Sequence, residues 1–334
     1  MGPGILERLA LGPVLGDGGY LLELEKRGYV QAGPFTPEVA IEHPEALAQL
    51  HREFMRAGAE VLQTMTFYAS EDKLATVGLG GKVDDINRTA VGIARQVARE
   101  GHALVAGNLS LTWAYDPADP NSPDRVRELF DRQLEVQIDA GGVDFWIGET
   151  FGFLEEALLF VERARKTRLP VMVTMSFEAR PIQSYEGLDP AECARRLEQA
   201  GADIVGVNCL NGPDQQLPIA AAMVPAVSCF VATQPAAYRT TEDVIDFTAL
   251  AAFPYELDPL QLHRYEMAGF AIDAKAAGVS YIGSCCGSVQ THVRAMAKAL
   301  GKMSTEERSW RSPTGKAMSA YEQHGHTEIE IWGG

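Results

Sequence analysis

Cysteine is scarce in this sequence. The 334 residues include five, an odd number and too few for a disulfide framework in a chain of this length. Basic charge is short as well, with 29 Lys and Arg against 45 Asp and Glu and a net charge of −16. Binding to a phosphate backbone needs a basic surface, so no nucleic-acid partner is expected and a small-molecule ligand is favoured. There is no long apolar run: the best stretch, 219–232, is interrupted by Pro225 and Ser228 and is too short to span a bilayer. Met1-Gly2-Pro3-Gly4 leads into a polar helix start without a basic or apolar leader, and Pro3 with no basic patch argues against acylation at Gly2. No membrane partner is therefore expected, and the cytoplasm is the expected compartment. None of the seven histidines stands in an H-x-x-x-H pattern, and neither a short repeat nor a low-complexity segment is visible.

What is present is a repeated local grammar. A helical stretch closes on a residue followed by Gly, and a short apolar strand begins two to four residues later. This occurs at Ala57-Gly58, Glu100-Gly101, Ala140-Gly141, Ala200-Gly201 and Ala277-Gly278. Gly after a helix supplies a left-handed cap, and continuously apolar strands imply burial on both faces. With Pro13-Val14-Leu15, Pro170 to Val173 and Cys229 to Ala232, the count reaches eight strands. Helix starts are predicted at Ser122-Pro123 and Asp189-Pro190, each an N-cap followed by Pro. Val126, Leu129, Phe130, Leu134 and Ile138 mark one buried helix face. Strands alternating with helices read as an α/β fold, a (β/α)8 TIM barrel over residues 1–301, with a doubly wound sheet as the alternative. Residues 302–334 read as a C-terminal tail. It packs on the barrel, packs on a partner subunit in a homo-oligomer, or stays loosely ordered; the residues leave these open.

Catalytic groups of such a barrel lie at the C-terminal ends of its strands. Those ends carry Asp17, Gln63-Thr64, Glu149, Asn208-Cys209, Gln234 and Cys285-Cys286. Adjacent thiols bond poorly to each other, yet they can grip one soft metal from a glycine-flanked turn, here with Ser288 expected as the N-cap of the helix that follows. Cys209, at the end of another apolar run, supplies the third sulfur. Three thiolates leave one tetrahedral position of a zinc ion open, the pattern of a catalytic site. Cys193 and Cys229 read as ordinary buried residues.

Several segments resemble one family: Gly16-Asp17-Gly18-Gly19, Leu24 to Val30, Gln63-Thr64 through Leu74, Gly206 to Cys209, Gln234-Pro235 and Cys285-Cys286-Gly287. Over roughly residues 4–300 the chain resembles the homocysteine S-methyltransferase family, and within it the betaine-dependent branch. The resemblance implies a zinc-dependent (β/α)8 barrel whose metal, on Cys209, Cys285 and Cys286, holds the homocysteine thiolate. It implies that Asp17 and Glu149 hold the ammonium of L-homocysteine, while backbone amides near Gly18 and the Gln63-Thr64 segment hold its carboxylate.

A small onium methyl donor calls for aromatic faces. Phe35, Phe67, Tyr68, Trp113, Tyr115 and Trp146 are the candidates, with Tyr68 foremost because its hydroxyl can also meet a donor carboxylate. Two positions depart from the betaine-dependent branch: Phe35 stands where a tryptophan is expected, and Thr150 where a tyrosine follows the glutamate. The chain also stops short of the long C-terminal arm of the animal members, so arm-exchanged assembly is not expected. The reaction expected is betaine-type methyl transfer to homocysteine, giving methionine. The alternatives are a sulfonium donor such as S-methylmethionine or dimethylsulfoniopropionate, and a non-catalytic zinc or thiol sensor. Corrinoid chemistry lacks an appended cobalamin domain.

Overall fold

The structure, a computed structural model, describes residues 2–241 and 243–303. The described residues up to Leu300 form one compact unit; all but two residues of the expected tail lie outside the described residues. Eight parallel strands make a nearly closed barrel: β1 (Val14–Leu15), β2 (Val61–Gln63), β3 (Leu104–Ser110), β4 (Phe145–Phe151), β5 (Val171–Met175), β6 (Ile204–Asn208), β7 (Phe230–Gln234) and β8 (Tyr281–Ile282). All eight predicted strands are present. β3 and β4 run further than their apolar stretches, through Asn108, Ser110 and Glu149, because the barrel top tolerates polar inward-facing groups that bond to one another.

One long helix follows each strand, with shorter helical turns before it in the β1 and β2 connections: α1 (Pro44–Ala57), α2 (Val83–Ala98), α3 (Ser122–Asp139), α4 (Leu154–Ala164), α5 (Pro190–Ala200), α6 (Pro213–Met223), α7 (Arg264–Ala276) and α8 (Gln290–Ala299). Asp189 caps α5 as predicted, its carboxylate accepting the Glu192 N–H at 3.0 Å. Two other caps differ. Ser122 is the first residue of α3, and its hydroxyl donates to Asp116 O instead. Ser288 bonds Ser284, leaving the His292 Nδ1 to accept the Val289 N–H at the start of α8. The glycines at 58, 141, 201 and 278 take positive φ as predicted, but at Glu100-Gly101 it is His102 that does so (66°). On α3 the buried face turns through Gln133 and Gln137, whose amides donate to Asn87 Oδ1, while Ile138 faces outward.

Carboxylates join the strands at the bottom of the barrel. The acid preceding β2, β4 and β6 accepts a backbone N–H of the strand before it: Glu60 from Leu15 (2.9 Å), Asp144 from Val105 (2.7 Å) and Asp203 from Val171 (2.9 Å). A buried backbone donor must find a partner, and these side chains provide one where the ladder has not yet begun. Among the described residues no ladder joins β1 to β2. That seam is closed by Glu60 N–H on Leu15 O (2.9 Å) and, at the top, by Asp17 Oδ2 accepting Gln63 N–H (2.7 Å). A short N-terminal helix, Ile5–Leu11, plugs the lower mouth, burying Ile5 and Leu9 against Val61, Leu104, Phe145, Met172 and Tyr281. Among the described residues no helix is long and apolar enough to cross a membrane.

Candidate active site and metal centre

β6 and β8 are not neighbours, and the segment that continues β7 brings their ends together. Gln234 O accepts the Cys209 N–H (2.9 Å) and Asn211 O accepts the Ala236 N–H (3.0 Å) on one side. On the other, Pro235 O accepts the Cys285 N–H (2.8 Å) and Cys286 O the Ala237 N–H (2.7 Å). Gly18 and Gly19 let the β1 loop lie flat on this turn: a Cβ at Gly19 would stand 2.7 Å from Cys285 O, and one at Gly18 would stand 2.5 Å from the Phe54 ring.

The three sulfurs of Cys209, Cys285 and Cys286 all lie within 4.8 Å of one another, with Cys209 and Cys286 Sγ at 3.5 Å. Tetrahedral bonds of about 2.3 Å to one ion would set sulfurs roughly 3.8 Å apart, so the donor set fits a thiolate-bound metal. Hydrogen bonds from Cys285 and Cys286 hold the Cys209 thiol well below the usual range, and bonding to Cys209 drives both partners above it. Three sulfurs this close, with the Cys209 thiol the readiest to give up its proton, suit a soft cation. Cys193 is fully buried on α5 and Cys229 half-buried before β7; burial pushes each thiol up to about 12.

A cavity of about 180 Å³ opens beside the sulfurs. Of the residues predicted for the site, Gly18, Gln63, Thr64, Glu149, the rings of Phe35, Phe67 and Tyr68, and the three cysteines line it, whereas Asp17 does not. Asp17 is 1% exposed and sits one layer below, accepting hydrogen bonds from Tyr20 Oη (2.6 Å), Gln63 N (2.7 Å) and Gln63 Nε2 (3.2 Å). Glu149 is held at the wall by two amides, from Asn108 Nδ2 (2.5 Å) and Asn208 Nδ2 (3.0 Å). Burial pushes Asp17 up to about 6, against its hydrogen bonds to Tyr20 and Gln63. Burial also raises Glu149 to about 8, opposed by the Asn108 bond and reinforced by the charges of Cys209 and Asp17. Two buried acids beside a thiolate form an electrostatic deficit that a cationic ligand relieves. The amides of Thr64 and Gly19 are already committed, to Ala106 O (2.9 Å) and Ser288 O (3.1 Å).

Of the six non-glycine residues with positive φ among those described, four line this cavity: Phe35 (49°), Thr150 (64°), Cys209 (53°) and Leu210 (54°). Such conformations cost roughly 1–3 kcal/mol each and persist only where the surroundings over-determine them. Asn208 does so for Thr150, accepting its N–H and donating to its hydroxyl, both at 2.8 Å. Glu149 itself points inward by strand alternation, two residues beyond Ile147 and four beyond Phe145, both in the barrel core.

Trp113, Tyr115 and Trp146 do not line the cavity. Trp146 is core, its indole N–H donating to Thr167 at 2.8 Å. Tyr115 packs on Phe153 and Trp113 is 53% exposed. The pattern reading missed Phe247 and Phe253, which complete the apolar wall with Phe35 (Phe35–Phe253 centroids 6.3 Å, Phe247–Phe253 5.8 Å). They lie in the long segment after β7, which has no period; their only signal was aromatic character beyond a strand's C-terminal end.

Behind the wall, His51 Nδ1 meets Tyr20 Oη at 2.9 Å, completing a buried chain to Asp17. Ionised Asp17 supplies negative charge for a cationic ligand above its pKa, and that charge is lost as pH falls through about 6. Tyr20→Phe removes a bond that lowers this pKa. The acid limb of kcat/KM for homocysteine should therefore move to higher pH, with KM rising roughly three- to ten-fold and metal content unchanged. An unaltered pH profile would show that Tyr20 does not tune Asp17.

A family model described as Homocysteine S-methyltransferase matches residues 14–300. Betaine–homocysteine S-methyltransferase 1 of Danio rerio is 47% identical over 306 residues, 89% of this chain and 75% of that protein. The S-methylmethionine–homocysteine S-methyltransferase of Pongo abelii is 41% identical, over 96% of this chain and 85% of that protein. In fold, the metallated homocysteine methyltransferase MmuM of Escherichia coli superposes with a TM-score of 0.69 at 20% identity, over 86% of this chain and 96% of that one. With its thiol cluster at the barrel mouth and these matches along nearly its whole barrel, the chain belongs to the homocysteine S-methyltransferase family.

Proposed function

We propose that the protein transfers a methyl group from a betaine-type quaternary ammonium donor to L-homocysteine, forming methionine, with Zn2+ on Cys209, Cys285 and Cys286. The observation that carries this is the trio of sulfurs within 4.8 Å at the edge of an acidic, aromatic-walled cavity, in a chain 47% identical to a betaine-dependent enzyme. Bound zinc would supply a homocysteine sulfur held as thiolate at neutral pH. The protein's own groups position the reactants. Asp17 beneath the wall supplies negative charge for the amino-acid ammonium, and Glu149, which burial raises to about 8, ionises as that ammonium docks against it. The carboxylate end is assigned to the backbone at Gly18, which lines the cavity. Phe35, Tyr68, Phe247 and Phe253 enclose the onium head and exclude water, and attraction to ring faces favours the cation. The methyl passes in line from nitrogen to sulfur: the C–N bond breaks as the C–S bond forms, and the donor leaves as a neutral tertiary amine.

A sulfonium donor is the second reading, favoured by Phe35, whose ring offers no indole N–H to a donor carboxylate, and by the relative that uses S-methylmethionine. The test is to incubate the zinc-loaded protein with homocysteine and, separately, trimethylglycine, S-methylmethionine and dimethylsulfoniopropionate. Methionine forming fastest with trimethylglycine is the expected result. Faster turnover with a sulfonium reassigns the donor, and tight zinc binding with no methionine from any donor leaves the sensor reading.

A further inference from the structure

Lys73 is a fully buried lysine that neither the metal centre nor the homocysteine contacts use. It lies on the short helix Glu71–Ala75 after β2. Its Nζ donates to Ser110 Oγ at 2.9 Å and to Leu111 O, and stands 4.1 Å from the centroid of the Tyr68 ring. Phe67 and Trp113 complete the surround at 5.6 and 5.7 Å. Ser110 spends its own proton on Phe67 O and so accepts from the lysine. Two oxygens and a ring face thus meet the three protons of an ammonium, the form that this setting fits. Burial pulls Lys73 down to about 7, opposed by the nearby charges of Asp72 and Glu156.

The position of this charge matters because of what the cavity lacks. Tyr68 and Phe67 line it and Lys73 does not, so the lysine sits behind the wall. Among the described residues no lysine, arginine or histidine lines the cavity, while Glu149 and three thiols do. An onium head suits such a site; a carboxylate on the same donor is repelled by it unless positive charge is supplied from elsewhere.

We propose that Lys73 is a specificity-determining positioning residue for the methyl donor: it fixes the Tyr68 ring as one wall of the donor pocket and places a cation behind that wall, so that onium donors carrying a carboxylate are preferred to those without one. This rests on the donor reading above. A unit charge one ring thickness away through partly buried surroundings is worth roughly ten-fold in the preference.

The test uses the full-length, zinc-loaded protein saturated with homocysteine, and two probes sharing one onium head: trimethylglycine and its methyl ester. The wild type should favour the free carboxylate about ten-fold or more in kcat/KM. Lys73→Met and Lys73→Gln should bring the ratio within about two-fold with homocysteine affinity unchanged, and Lys73→Arg should keep it. Tyr68→Phe retains the ring over the lysine, removes the hydroxyl, and should preserve the ratio even if the neutral Lys73 variants do not fold. Parallel loss for both probes in the Lys73 variants marks a merely structural role and overturns the proposal. So does collapse of the ratio in Tyr68→Phe, which assigns the carboxylate to the hydroxyl, or a wild type indifferent to the ester. Wild type that makes no methionine from either probe overturns the donor reading and this proposal together, whereas methionine from trimethylglycine with any of the earlier results sinks this proposal alone.

Discussion

Cys285→Ser is expected to strip the metal and stop the reaction while leaving the barrel folded. A hydroxyl in place of one of three thiolates should weaken zinc binding by on the order of a hundred-fold or more, since even changes to groups supporting metal ligands cost ten- to a hundred-fold. The rate loss has two parts. A free thiol near pKa 8.5 is only about 3% ionised at pH 7, which alone costs roughly thirty-fold. Loss of the anchor that holds the sulfur in line adds about a hundred-fold. Together these predict a fall of about three orders of magnitude, read by metal analysis and methionine formation on the same sample. A variant that keeps one zinc per chain and full turnover would falsify the assignment. Because Cys285 is partly exposed and its backbone is held by Pro235 O, melting behaviour should change little when both proteins are compared without metal.

Glu149→Gln should separate substrate binding from metal binding. Both carboxylate oxygens accept from amide NH2 groups, those of Asn108 and Asn208. The glutamine brings an NH2 of its own and sets donor against donor at one of these contacts, besides deleting the charge for the homocysteine ammonium. Removing one member of a buried charge pair costs about 2–5 kcal/mol, so kcat/KM for homocysteine should drop by on the order of a hundred-fold or more. Zinc content should stay at the wild-type level, since no Glu149 oxygen belongs to the sulfur cluster. Parallel loss of zinc would instead make Glu149 a support of the metal site. The strained Thr150 backbone (φ 64°) is also clamped by Asn208. Disturbing the Glu149–Asn208 bond should therefore lower stability as well, by an amount that a thermal melt reads separately from binding.

Much of the site was legible because its parts are punctuated locally. Cys285 and Cys286 are covalent neighbours between glycines, and Cys209 ends an apolar run that could only be a strand. Phe35, Phe67 and Tyr68 follow strands whose C-terminal ends face the cavity. Asp17 was identified but its depth was not. A carboxylate after a strand looks the same whether it faces the cavity or closes the β1–β2 seam beneath it, and only the Gln63 N–H tells which. Phe247 and Phe253 were invisible because a long segment without period gives no direction to its side chains. Lys73 was hidden for the opposite reason: a lysine on a short polar helix reads as solvated, and its burial depends on oxygens at the end of β3, 37 and 38 residues away.

By itself, then, the sequence determined the alternation of eight strands and helices and the identity of the three sulfurs, since glycine caps, apolar runs and adjacent thiols are properties of neighbouring residues. Only the tertiary structure decided that the β7 extension brings Cys209 to Cys286, that Glu149 reaches the cavity while Asp17 braces it from below, and that a cation stands behind the Tyr68 ring. These depend on which groups meet across the barrel. Burial, charge and hydrogen-bond satisfaction belong to those meetings, and no stretch of chain carries them alone.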